Sequence, residues 1–187
     1  TIRGATDKLG LSSAHVNCAT EAEAALLEEE GFLRRRGIQF HWHNRGYRDF
    51  QDFLDTMRST KRKAIRKERA AVAAAGVEIR PATGGELTEA DLAAFYPFHV
   101  STVDKRWGSA SLTADFFRRL ARNFAERIVL VTVRQNGALV GAALNLQSGD
   151  TLYGRLWGCR REVEFLHFEA CYYRAIDFAI QHGLARV

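Results

Sequence analysis

The chain has 187 residues, 47% hydrophobic and 26% charged, with no low-complexity run or fixed-period repeat, so it can bury a sizeable core and neither disorder nor a solenoid fits. Its net charge of +5 and pI near 9.4 suit an anionic partner such as a nucleotide, an RNA or a phosphorylated lipid. Cys18, Cys159 and Cys171 are an odd number without metal-site spacing, which argues against a disulfide framework and for free thiols in a reducing compartment.

No stretch approaches the roughly 20 apolar residues of a membrane helix, and no signal peptide opens the chain, so a cytoplasmic location is expected. The sequence begins at Thr1 rather than Met and stops at Val187 as a new apolar segment starts, which reads as truncation. Leu11 to Asn17 is short and mildly β-prone. Thr20 to Glu23 reads as an N-cap with early acids before a helix over Ala24 to Glu30, stopped by Gly31. Gly37 to His43 alternates apolar and polar residues, the pattern of a half-buried strand.

From Asp49 to Ala75 the spacing predicts one long helix with Phe50, Leu54, Ile65 and Val72 on a single stripe, closed by Gly76. Val77 to Arg80 reads as a strand ended by Pro81. A turn at Thr83-Gly84-Gly85 leads to a helix from about Thr88, which Pro97 interrupts or bends. Thr113 caps a helix running to about Asn123. Ile128 to Val133, Ala138 to Gln147 and Thr151 to Gly158 are three strands joined by turns at Asn136-Gly137 and Ser148-Gly149-Asp150. Phe165 to His182 is a mostly apolar helix ended by Gly183, followed by the start of a strand at Ala185 to Val187.

The order from Val77, a strand, two helices, three antiparallel strands, a long helix and a further strand, resembles the GCN5-related N-acyltransferase (GNAT) core. Ser59-Thr60-Lys61-Arg62-Lys63-Ala64-Ile65-Arg66-Lys67 leading to Gly76-Val77-Glu78-Ile79-Arg80 resembles the join between the two halves of Fem-type aminoacyltransferases. Gln39-Phe40-His41-Trp42, Lys105-Arg106-Trp107-Gly108, Leu152 to Cys159 and Leu166 to Tyr173 resemble a FemAB-like bacterial family of peptidoglycan biosynthesis or recognition proteins. The resemblance implies an α/β (α+β) fold with a mixed, largely antiparallel central sheet flanked by helices. It also implies a division into residues 1–76, a remnant of an N-terminal half plus a basic linker helix, and residues 77–187, the acyltransferase core.

Acetyltransferases of this fold hold the coenzyme A pyrophosphate on a Gly-rich turn before the long helix. The corresponding Arg160-Arg161-Glu162-Val163-Glu164-Phe165-Leu166 has no glycine and two acids, which hinders close backbone approach to a pyrophosphate. Fem-type enzymes similarly lack that loop and take the acyl group from aminoacyl-tRNA. The expected activity is therefore acyl or aminoacyl transfer to an amine, in peptidoglycan precursor modification. Acetyl-CoA-dependent N-acetylation and a noncatalytic module that binds an anionic ligand are the alternatives.

Several side chains are candidates for this chemistry, each with a plain structural alternative. Arg58, Arg62, Arg66 and Arg69 line one helix face by spacings of three and four, either to grip phosphates or as a solvated face with Glu68 as local partner. Tyr153, Arg155 and Trp157 alternate on a strand and are expected on one side, forming an anionic substrate site or an internal pair between Arg155 and an acid such as Glu169. Lys105 and Trp107 sit in a Gly-bounded loop, facing substrate or anchoring the surface. Glu169 or His167 is a candidate base, with Tyr172 or backbone amides as oxyanion donors; capping plus a buried ion pair is the alternative for Glu169.

His41 and His43 flank Trp42 without a locally spaced third ligand, so no metal is expected. Cys159 and Cys171 read as buried structural thiols. No tightly bound cofactor is expected, with aminoacyl-tRNA or acyl-CoA as acyl donor. Expected partners are tRNA or an anionic cell-wall precursor and not DNA, while the oligomeric state is left open.

Overall fold

The computed structural model describes residues 2–105 and 108–187, and the chain divides into two units, Thr1–Phe40 and His41–Val187. The first unit contains helices α1 (Ile2–Lys8) and α2 (Glu21–Glu29). Helix α2 starts on a capping box, in which the Thr20 side chain accepts from the Glu23 amide while Glu23 accepts from the Thr20 amide at 2.8 Å, as its sequence requires. Arg34 folds back on this helix through Glu21 at 2.7 Å and Glu28 at 3.0 Å. Leu11 to Asn17 forms no strand. Nor does Gly37 to Phe40, where Ile38 and Phe40 are 85% and 89% exposed; pairing is confined to the end of the expected strand, where His43 bridges Arg186, and alternation alone makes no strand where no ladder partner supplies the hydrogen bonds.

In the second unit the expected long helix is two, α3 (Phe50–Asp55) and α4 (Ser59–Ala74). The Thr56 hydroxyl donates to the Phe53 carbonyl at 2.8 Å, and the Arg62 guanidinium donates to the carbonyls of Asp55 and Met57. These side chains satisfy backbone groups freed by the break. The stripe survives nonetheless, because Phe50, Leu54, Ile65 and Val72 are all buried. Residues 50–74, placed by the resemblance in the linker region, pack within this second unit.

Strands β1 (Glu78–Thr83), β2 (Ile128–Gln135), β3 (Ala138–Ser148) and β4 (Thr151–Cys159) form one antiparallel sheet in that order. Strand β1 runs through Pro81, opposite Val131. A proline fits because β1 is an edge strand, whose outward side needs no donor. Asn136 and Gly137 both have positive φ, 51° and 78°, the hairpin geometry this dipeptide favours.

Helices α5 (Glu89–Asp104) and α6 (Ala114–Phe124) cover one face, with Leu92, Phe95, Phe98 and Phe117 against Leu130 and Leu144. Helix α5 continues across Pro97, which is exposed. On the other face, α4 and the C-terminal helical segment pack on Val129, Val131 and Val133. Strand β2 is thus buried on both faces, which is why it reads as an unbroken β-branched run.

His99 on α5 is buried beside Phe117, with Nε2 lacking a hydrogen-bond partner among the described residues. Burial pushes its pKa below the ordinary 6.5. The unfolded chain therefore takes up this proton first as pH falls, so the stabilisation is complete above about pH 6.5 and is lost below it. The urea midpoint should drop between pH 7 and pH 5, and His99→Leu should flatten that slope; an equal slope in the variant would exclude His99 as its source.

Candidate functional site

The β3–β4 register slips by one residue: Leu144 faces Leu156 but Asn145 faces Gly154, leaving Arg155 as the extra residue of a β-bulge. The buried Asn145 amide donates to the carbonyls of Val129, at 3.0 Å, and Ala143 beside the slip. The bulge changes which side chains share a face. Leu152 packs toward Ala175 and Phe178, and Trp157 toward Leu166 and Ala170 on that same face. Tyr153 therefore falls on the opposite face from Trp157, and the common side expected for Tyr153, Arg155 and Trp157 is not formed.

Nor is β4 central to the four-stranded sheet; it is an outer strand. The residue at its start, Thr151, is bridged in parallel by Arg186, and Leu152 donates to the Arg186 carbonyl at 2.9 Å. Val187 in turn exchanges two backbone hydrogen bonds with Trp42, so the strand start expected at Ala185 to Val187 is realised as bridges. Arg155 is exposed, with no acidic partner among the described residues. An internal pair with Glu169 is not present.

The C-terminal helical segment is not one regular α-helix but three pieces: α7 (Leu166–Phe168), a π-helical turn (Glu169–Tyr173) and α8 (Arg174–Gln181). Four rings meet where it begins. His167 lies 5.9 Å from Trp157, 5.7 Å from Phe168 and 5.7 Å from Tyr172, centroid to centroid. Phe168 and Tyr172 are about half exposed, so the cluster presents aromatic faces, an imidazole and a phenol to solvent. Phe168, not singled out in the sequence, was hidden among the apolar residues of a helix read as buried.

Glu169 is placed differently from His167 and Tyr172. Its carboxylate is 3% exposed and accepts from Arg69 Nε and Nη2, both at 3.1 Å, with Arg174 Nε 2.9 Å away. Arg69 also stacks 4.4 Å from the Phe50 ring and reaches Asp177 at 4.0 Å. Next to this group, the Tyr173 hydroxyl donates to Glu68, and burial together with that carboxylate raises its pKa. Glu169 thus sits in a buried ion pair, and Glu68 serves Tyr173 rather than the arginine face.

The other basic side chains divide by environment. Arg62 and Arg66 approach Asp55 at 3.8 and 3.9 Å, while Arg58 is exposed. Lys105, at the end of α5, pairs with Glu162 at 2.8 Å, which raises its pKa. Trp107 lies outside the described residues.

The charged side chains of the turn before α7 are exposed and engage neighbouring elements. Arg161 donates to Gln135 at 2.9 Å, Glu162 holds Lys105, and Phe165 takes a left-handed φ of 64°. Cys159 and Cys171 have their pKa raised by burial, the latter to about 12, so both are protonated thiols with no nucleophilic character near neutral pH. His41 and His43 stand 6.4 Å apart, and among the described residues no three His, Cys, Asp or Glu side chains converge as a metal requires.

Taken together, these features define an α+β protein whose antiparallel sheet ends in a bulged outer strand beside an exposed aromatic cluster. The chain belongs to the FemAB-like family, described as peptidoglycan biosynthesis/recognition, which matches residues 1–187. This bears out the family resemblance carried by its sequence blocks. No curated protein matches the chain. Among the described residues no helix is long and apolar enough to cross a membrane.

Proposed function

We propose that this protein transfers an acyl or aminoacyl group to an amine of a peptidoglycan precursor. The observation that carries this reading is the placement of the exposed Arg155, at the β4 bulge, two residues from Trp157, which touches the His167–Tyr172 cluster. Arg155 offers a cation to an anionic substrate group, with Lys105, paired to Glu162, as a second cation, whereas Tyr153, on the face of β4 opposite Trp157, stays outside this site. His167 takes the proton as the amine attacks the donor carbonyl, and Tyr172 or backbone amides donate to the oxyanion. The amine–carbonyl bond forms as the donor's ester bond breaks, and its oxygen leaves protonated, with no covalent enzyme intermediate.

The glycine-free turn before α7 supports aminoacyl-tRNA over acyl-CoA as donor, and the exposed Arg58 and Arg66 supply phosphate contacts, Arg62 being held by the Asp55 and Met57 carbonyls. The GNAT-like order of elements, a first-half remnant in residues 1–76 and a cytoplasmic location belong to the same reading. A noncatalytic anionic-ligand module is the second reading, favoured by the engagement of Glu169 in its ion pair.

Thermal melts with coenzyme A, acetyl-CoA, uncharged tRNA and aminoacyl-tRNA test this, because a ligand bound only by the folded state raises Tm. Stabilisation by aminoacyl-tRNA alone is the expected result. A response to coenzyme A species instead makes acetyl transfer the function. With turnover in hand, His167→Ala should lower kcat about 10²-fold or more; an unchanged kcat removes His167 from the mechanism.

A further inference from the structure

His167 and Tyr172 are five residues apart. In a regular α-helix, at about 3.6 residues per turn, five residues place two side chains about 140° apart around the axis, too far for their rings to meet. Their rings nevertheless stand 5.7 Å apart, and the segment between them is the π-helical turn, in which the Arg174 amide donates to the Glu169 carbonyl five residues back. A π turn holds one residue more than an α turn and so brings positions five apart onto one face. The aromatic cluster therefore owes its geometry to the π turn.

Such a turn is rare and needs a reason to persist, and here the reason lies in one side chain. Glu169, the first residue of the turn, is held on two sides. Arg69 grips its carboxylate with two hydrogen-bonding nitrogens from α4, while Arg174 donates its amide to the Glu169 carbonyl and sets Nε 2.9 Å from the carboxylate as an ion pair without hydrogen-bond geometry. The buried carboxylate stays in place only while its cations do.

We infer that Arg69 and Arg174, acting through Glu169, are positioning residues that lock the π turn and so set His167 against Tyr172. The role of this lock in transfer rests on the proposed function. The lock itself does not, because its geometry is measured on the free protein.

The test compares wild type with the double variant Arg69→Leu/Glu169→Leu, which replaces the buried pair by apolar side chains. Nuclear Overhauser contacts between the His167 and Tyr172 rings should be present in the wild type. In the folded double variant they should be lost as the segment relaxes toward an α-helix. Their persistence there would overturn the proposal. Glu169→Gln, nearly isosteric, covers the case in which the double variant does not fold. Its Arg174 amide should exchange at least about tenfold faster while the Phe178 amide keeps its protection, since only the first depends on the turn; unchanged Arg174 exchange also overturns the proposal. If the ring contact is lost but precursor turnover is unaffected, the lock stands and the transfer role of the cluster falls.

Discussion

Gly158→Ala is expected to destabilise the protein by about 3 kcal/mol or more, the upper range for overpacking a well-filled interior. An added Cβ would lie 2.3 Å from the Phe98 carbonyl oxygen and 2.5 Å from its carbon. Both are backbone atoms of α5, so no side chain can turn aside and the helix itself must lift from β4. Lifting it also breaks the reach of the Thr102 hydroxyl to the Trp157 carbonyl, now 3.0 Å. Urea unfolding measures the effect, and Gly85→Ala, with open space around its Cβ and no positive φ, is the control expected within about 0.5 kcal/mol of wild type. A loss below about 1 kcal/mol in Gly158→Ala would mean that α5 is not seated on this glycine.

The second large effect is expected from Arg69→Ala. Removing one partner of a buried ion pair leaves a desolvated charge, which typically costs about 3–5 kcal/mol. Arg174 remains beside Glu169, which places the expected loss at the lower end, about 3 kcal/mol or a Tm decrease of about 10 °C for a chain of this size. The companion double variant with leucine at both positions should recover most of that loss, since apolar replacements of a buried pair are often neutral. A decrease under about 3 °C for Arg69→Ala would show that Arg174 alone satisfies the carboxylate.

The two residues differ in what their sequence neighbours reveal. Gly158 ends a run read correctly as a strand, but nothing near it in sequence tells of Phe98, sixty residues earlier. In the sequence Arg69 is one of four arginines on a helix face, spaced as a phosphate grip or a solvated face. Its actual partner is 100 residues away, and the acid nearest it in sequence, Glu68, is engaged with Tyr173. Charge spacing along a helix tells which face a cation occupies and leaves open what the fold brings opposite to it. His167, Tyr172 and Arg155 were legible as residue types suited to the chemistry, whereas their mutual geometry was not.

What the sequence determined by itself is the part written in neighbouring residues. Asn136-Gly137 and Ser148-Gly149-Asp150 turn the chain because their backbones accept positive φ, Thr20 and Thr113 cap helices with their own oxygens, and the three strands between those turns follow. The distinctive blocks likewise carried the family. Only the tertiary structure decided the break between α3 and α4, the bulge at Arg155 and the π turn at Glu169. Each shifts the backbone by only a residue or a few, which hydrophobic periodicity barely registers. Its free energy is set by side chains outside the shifted residues, Arg62 five and seven residues from the carbonyls it fills at the break, Asn145 on the neighbouring strand at the bulge and Arg69, 100 residues from Glu169, at the turn.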